Sequence, residues 1–131
     1  MILCACCSGK VYEKCCQIYI NGDSQPATAE QLMRSRYTAY ATCEVQYIIN
    51  TTHPSTRGEY NSKAIKEWAT SSVWVKLEII SITKGFSTDT VGYVEFKAYY
   101  LDSKGQNRLH HEYSTFWRLD VNWFFVGGEI Y

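Results

Sequence analysis

Five of the six cysteines of this 131-residue chain fall between positions 4 and 16, in the run CACCSGKVYEKCC. Thiols packed this densely point to a disulfide framework, a redox site or a metal site. Cys4 and Cys6, an eight-residue gap, then Cys15 and Cys16 form two close pairs across a short loop. Two such pairs meet zinc's demand for four soft or borderline ligands at tetrahedral corners. Adjacent cysteines such as Cys15 and Cys16 bridge each other only with backbone strain, which argues against a local disulfide. The redox alternative draws on all five thiols, but the Cys-x-x-Cys spacing occurs only between Cys4 and Cys7. The expected cofactor is therefore zinc, held by Cys4, Cys6, Cys15 and Cys16, with Lys10 and Lys14 partly offsetting the thiolate charge. Cys7 is surplus to this site, and Cys43 reads as an ordinary buried cysteine near a helix end.

A second group of polar residues sits among apolar neighbours. Arg34 and Arg36 point about 200° apart on a helix, so only one of them shares the apolar face. Arg36, between the Met33 and Tyr40 positions, is the better inward guanidinium. An inward arginine needs partners, and Glu112 or Glu95 would supply a carboxylate. Arg36 and Tyr37 are the candidate ligand-binding residues. His53, His111 and Glu112 are the candidate acid-base groups. No spacing fixes a dyad, since His111 and Glu112 face opposite sides of a strand. No Gly-rich phosphate loop is present, which argues against nucleotide hydrolysis.

Composition narrows the setting. Thirteen basic residues balance thirteen acidic ones, so no large basic surface is available for nucleic acid. The chain is 46% hydrophobic and 20% charged, enough for a real core. No run approaches the roughly 20 apolar residues that span a bilayer. Met1-Ile2-Leu3 leads straight into cysteines, with no basic segment followed by a long apolar one. The expected compartment is the cytoplasm, where reducing thiol pools favour metal over disulfide.

These side chains need elements to place them. Residues 1–22 form a cysteine-rich head with too few apolar residues for a core of its own, so bound metal would supply its folding energy. Residues 26–131 form the main domain. Thr28 to Gln31 make a capping box, and Ala29, Leu32, Met33, Tyr37 and Tyr40 share one face, predicting a helix over 28–43. Shorter helices are expected over 45–52 and 62–70, the first broken at His53-Pro54. Strands are expected over 74–82, 91–101, 108–119 and 122–126. Three helices followed by a four-strand meander is an α+β pattern. The long helix would cover a curved antiparallel sheet and enclose a cone-shaped cavity.

The run from Cys4 to Cys16 resembles the SEC-C motif, C-x-C-x-S-G-x-x-Y-x-x-C-[CH], in its Ser8, Gly9 and Tyr12 as well as its cysteines. That zinc-binding module is known from the translocation ATPase SecA, where it contacts the chaperone SecB and the ribosome. Glycine is usual where this chain has Cys7. The stretches Thr28–Tyr40, His53–Arg57, Gly92–Ala98, His111-Glu112 and Trp123–Gly128 resemble the uncharacterised bacterial YchJ family. That family joins a SEC-C module to a domain similar to nuclear transport factor 2. The resemblance implies a cystatin-like cone and a zinc head, and no particular activity. The chain thus reads first as a binding or adaptor protein. Its head, with Tyr12, Lys10 and Lys14 exposed, would contact a protein partner, while the cone holds a small ligand or acts as a scaffold. The alternatives are a small-molecule enzyme and a thiol redox sensor.

Overall fold

The computed structural model describes residues 2–131. A 3-10 turn over Tyr12–Lys14 leads into α1 (Gln17–Ile20), α2 (Ala29–Ala41), α3 (Val45–Asn50), α4 (Pro54–Arg57) and α5 (Ser62–Ser71). Four strands complete the chain: β1 (Val73–Lys84), β2 (Val91–Leu101), β3 (Asn107–Leu119) and β4 (Asn122–Ile130). They form one antiparallel meander in the order β1-β2-β3-β4. The α+β architecture and the curved sheet are as the sequence predicts. Register shifts between Trp74 and Lys76, Ile79 and Ser81, and Thr115 and Phe116 interrupt the ladders, and bulges of this kind bend strands.

The caps explain where α2 begins and ends. Thr28 Oγ1 accepts from the Gln31 backbone N–H at 3.1 Å, as a capping box requires. The Gln31 side chain reaches one residue further back than expected, accepting from Ala27 N–H at 2.7 Å. At the other end Glu44 N–H donates to Ala39 O at 2.7 Å and Cys43 N–H to Tyr40 O at 3.3 Å. This is a Schellman cap, and Cys43 holds its left-handed position at φ +59°. Cys43 is only half-buried there, which corrects the expectation of a buried cysteine.

Two further expectations change. The break at His53-Pro54 is also a restart: Pro54 opens α4, where its missing N–H costs nothing, and His53 Nδ1 caps it by accepting from Ser55 N–H at 3.0 Å. Strand β4 also runs on to Ile130 through Gly127-Gly128. The loop before α4 pairs with β4, His53 N–H donating to Phe125 O and Phe125 N–H to Thr51 O. Thr51 and Thr52 are thereby held beside α2.

Helix α2 is buried on more than the one face its pattern suggests. Leu32, Met33 and Tyr37 pack on the inner sheet residues Leu77, Val94, Phe96, Ala98, Phe116 and Phe125. Ser35 Oγ meets Tyr47 Oη of α3 at 2.7 Å. On a third side, Cys4, Cys6 and Cys16 of the head belong to the same buried cluster as Leu32 and Met33. The start of α2 lies so close to the β1–β2 turn that a Cβ on Gly85 would stand 2.7 Å from Ala29 Cβ. Gly85 also has φ +80°, so the turn depends on glycine for both space and conformation. Among the described residues no helix is long and apolar enough to cross a membrane.

Candidate functional site

The head is a short hairpin. Leu3 bridges Val11, and Cys4 N–H donates to Lys10 O at 2.8 Å. The 3-10 turn then returns the chain so that Cys15 and Cys16 face the first pair. The Sγ atoms of Cys4, Cys6, Cys15 and Cys16 all lie within 4.8 Å of one another. Cys6 and Cys15 are 3.6 Å apart, and Cys15 and Cys16 are 3.9 Å apart. Zinc–sulfur bonds of about 2.3 Å at tetrahedral angles place sulfurs about 3.8 Å from each other. The residues present therefore fit a tetrahedral ion held by four thiolates.

Neighbouring groups orient these sulfurs. Thr38 Oγ1, on α2 and fully buried, donates to Cys16 Sγ at 3.2 Å and lies 3.6 Å from Cys4 Sγ. Ser8 Oγ is 3.1 Å from Cys15 Sγ. Arg34 Nη1 donates to Cys6 O at 2.7 Å while its Nε bonds Glu30. Hydrogen bonding, from Cys16 first and then from Ser8 and Cys15, holds the Cys6 thiol down, to about 4. The bond with Cys6 and then burial push Cys16 up, and burial also raises Cys15. A cation at the centre would favour the thiolate on all four. Cys7 is exposed, with φ +64°. The left-handed backbone accounts for glycine being usual at this place in the motif.

The second feature is a cavity of about 230 Å³ between α2, α5 and the concave sheet. Tyr37, Tyr40, Trp68, Trp74, Phe96 and Phe125 form its walls. The ring centroids of Tyr40, Trp68 and Trp74 lie 5.2 to 5.6 Å apart, at angles from edge-on to tilted. Arg36, 6% exposed, enters from α2. Its Nη1 donates to Ile48 O at 2.9 Å, Thr51 Oγ1 at 2.8 Å and Thr52 Oγ1 at 3.3 Å. Its guanidinium lies over Phe125, 4.4 Å from the ring centroid.

Neither expected carboxylate, Glu95 or Glu112, pairs with Arg36. Glu95 pairs with His111 at 2.7 Å, and Glu112 with His110 Nε2 at 2.8 Å and Ser114 Oγ at 2.5 Å. Of the candidate acid-base residues, only Glu112 lines the cavity. His111 points to the other sheet face, against Glu95 and Tyr131, and His53 caps α4 with its ring against Trp117 and Phe124. His110 and Ser114, outside the expected set, line the cavity beside Glu112. The signal was present: strand alternation puts residues 110, 112 and 114 on one face. A Cβ on Gly128 would stand 2.7 Å from Glu112 Oε2 and 2.8 Å from Tyr113 O, so the glycine leaves room for the carboxylate.

A cone-shaped α+β domain with a four-cysteine head packed on its long helix is the class that fold and site define. A family model for the middle, NTF2-like domain of YchJ matches residues 28–128. A UPF0225 protein of Geobacter sulfurreducens is 46% identical over 96% of this chain and 78% of its own length. One from Photorhabdus laumondii is 39% identical over 96% and 79%. The solution structure of a SEC-C motif containing protein from Rhodopseudomonas palustris superimposes with a TM-score of 0.88 at 34% identity, covering 96% of each chain. A crystal structure of a SEC-C motif containing protein from Psychrobacter arcticus gives 0.82 at 32% identity, covering 98% of this chain and 82% of the other. The chain belongs to the YchJ-like UPF0225 family.

Proposed function

We propose that this is a zinc-stabilised binding protein of the cytoplasm. Residues 1–22 act as a zinc-binding head that contacts a protein partner, and residues 26–131 hold a small ligand in the cone. The observation that carries this is the set of four sulfurs spaced for a tetrahedral ion. Cysteines are the whole donor set, which suits zinc over the harder oxygen-seeking ions. A reducing compartment keeps such thiols available to metal. Native mass spectrometry of the freshly purified chain tests the reading. One zinc per chain is expected, lost on Cys15→Ser, and a metal-free chain would overturn it.

A second reading, a small-molecule enzyme, is favoured by one feature. His110 is oriented by Glu112 on the cavity wall, as an acid-base histidine would be. Turnover of a cavity-bound compound that is abolished by His110→Asn would establish this reading in place of simple binding.

A further inference from the structure

The hydrogen-bonding groups of the cavity are unevenly spent. Both carboxylate oxygens of Glu112 are engaged, Oε1 by His110 and Oε2 by Ser114. Every described hydrogen bond of Arg36 leaves from Nη1. The Nε and Nη2 edge, the side of a guanidinium that makes a parallel fork to a carboxylate, has no partner among the described residues. Arg36 is more than nine-tenths buried, lines the cavity and forms no described salt bridge. Burial pulls its affinity for the proton down, and the Glu112 carboxylate, which acts on it through space, is hydrogen-bonded to His110 and Ser114 instead. The phenols of Tyr37, Tyr40 and Tyr60 also line the cavity with no described hydrogen bond, and burial first of all keeps each of them protonated. The open polar capacity is thus a fixed cationic fork beside neutral hydroxyls.

The walls give the rest of the ligand. Tyr37, Tyr40, Trp68, Trp74 and Phe96 present ring faces and edges, which suit a flat apolar body. About 230 Å³ is below the usual range of drug-sized pockets and admits one ring with a short substituent. An aromatic box also suits organic cations, but the carboxylate lining the cavity, Glu112, has both oxygens engaged, whereas the Arg36 guanidinium has an open edge.

We infer that the cavity binds a monocyclic aromatic carboxylate, its carboxylate forked by the Nε and Nη2 edge of Arg36 and its ring held among Tyr37, Tyr40 and Trp74. This rests on the reading that the cone holds a small ligand, and it names the ligand's class.

Trp68 and Trp74 in the wall make intrinsic fluorescence the readout. The metal-loaded full chain is titrated with benzoate, with benzamide as neutral isostere and benzylamine as cation. Benzoate is expected to quench saturably, at least about tenfold tighter than benzamide, the difference a charge-assisted pair supplies. Arg36→Lys keeps the charge but loses the fork, and is expected to weaken benzoate about tenfold while leaving benzamide unchanged. Arg36→Met is expected to fold, because Ile48 O also accepts from Thr52 Oγ1 and Thr51 Oγ1 also donates to Tyr47 O. It should abolish the preference for benzoate. Equal affinity for benzoate and benzamide, tighter benzylamine, or an Arg36→Lys variant unchanged toward benzoate would each overturn the carboxylate assignment while leaving a ligand cavity. No quenching by any probe up to about 10 mM, weak even for so small a ligand, would overturn both.

Discussion

The Thr38 hydroxyl donates to Cys16 Sγ across 3.2 Å, joining the C-terminal part of α2 to the cysteine head. One turn earlier the same helix sends Arg34 to Cys6 O, and between these two contacts Arg36 and Tyr37 face the cavity. A single helix thus carries the outer contacts of the four-cysteine cluster on one side and a wall of the cavity on another.

Removing the Thr38 hydroxyl tests the first of these roles. Thr38→Val leaves shape nearly constant and leaves Cys16 Sγ without its donor. Loss of a group that orients a metal ligand typically weakens metal affinity about 10- to 100-fold, and a buried hydrogen bond contributes about 1 kcal/mol. Chelator competition should show the weakened affinity, with Thr38→Ser close to the parent. Equal affinities for all three would separate Thr38 from the metal centre.

Chelation should destabilise the whole chain and not the head alone. Cys4, Cys6 and Cys16 are buried in one cluster with Leu32, Met33 and Tyr37, so a loosened head uncovers the core side of α2. An ion bound at a thousandfold excess over its dissociation constant adds about 4 kcal/mol to stability by linkage. Thermal unfolding followed by tryptophan fluorescence, which reports the cone, should shift to a lower midpoint on chelation. An unchanged midpoint would mean that the two segments are independent.

Neighbouring glycines of β4 provide a paired test of the cavity wall. A Cβ at Gly128 meets Glu112 and the Tyr113 carbonyl below 3 Å, while one at Gly127 meets nothing within 4 Å. Gly128→Ala is expected to cost about 1–3 kcal/mol through overpacking and to displace Glu112 from His110. Gly127→Ala should stay within about 0.5 kcal/mol of the parent. Urea unfolding midpoints of the two variants check this, and equal midpoints would contradict the close approach.

Much of this was legible in the chain. The capping box fixed the start of α2, and the apolar alternation of Val94, Phe96 and Ala98 fixed the inner face of β2. The cysteine spacing picked out a set of four residues that the fold brings together. The cavity leaves a weaker trace in the chain. The pattern turns Arg36 inward, but its partners are the Ile48 carbonyl of α3 and two threonine hydroxyls of the following loop, whose pairing with β4 leaves no local pattern. The choice between His110 and His111 depends on strand parity, and a shift of one residue reverses the face. The burial of α2 against the head was hidden because Thr38 looks like a surface residue until sulfur is placed beside it.

Cobalt(II) substitution tests the central claim most directly, because its absorption reports both geometry and donor atoms. The account predicts intense sulfur-to-cobalt bands and tetrahedral d–d absorption at one ion per chain. They should be lost or altered on Cys4→Ser, Cys6→Ser, Cys15→Ser or Cys16→Ser and kept on Cys7→Ser. Weak octahedral bands in the parent, or loss of the tetrahedral signal on Cys7→Ser, would contradict it.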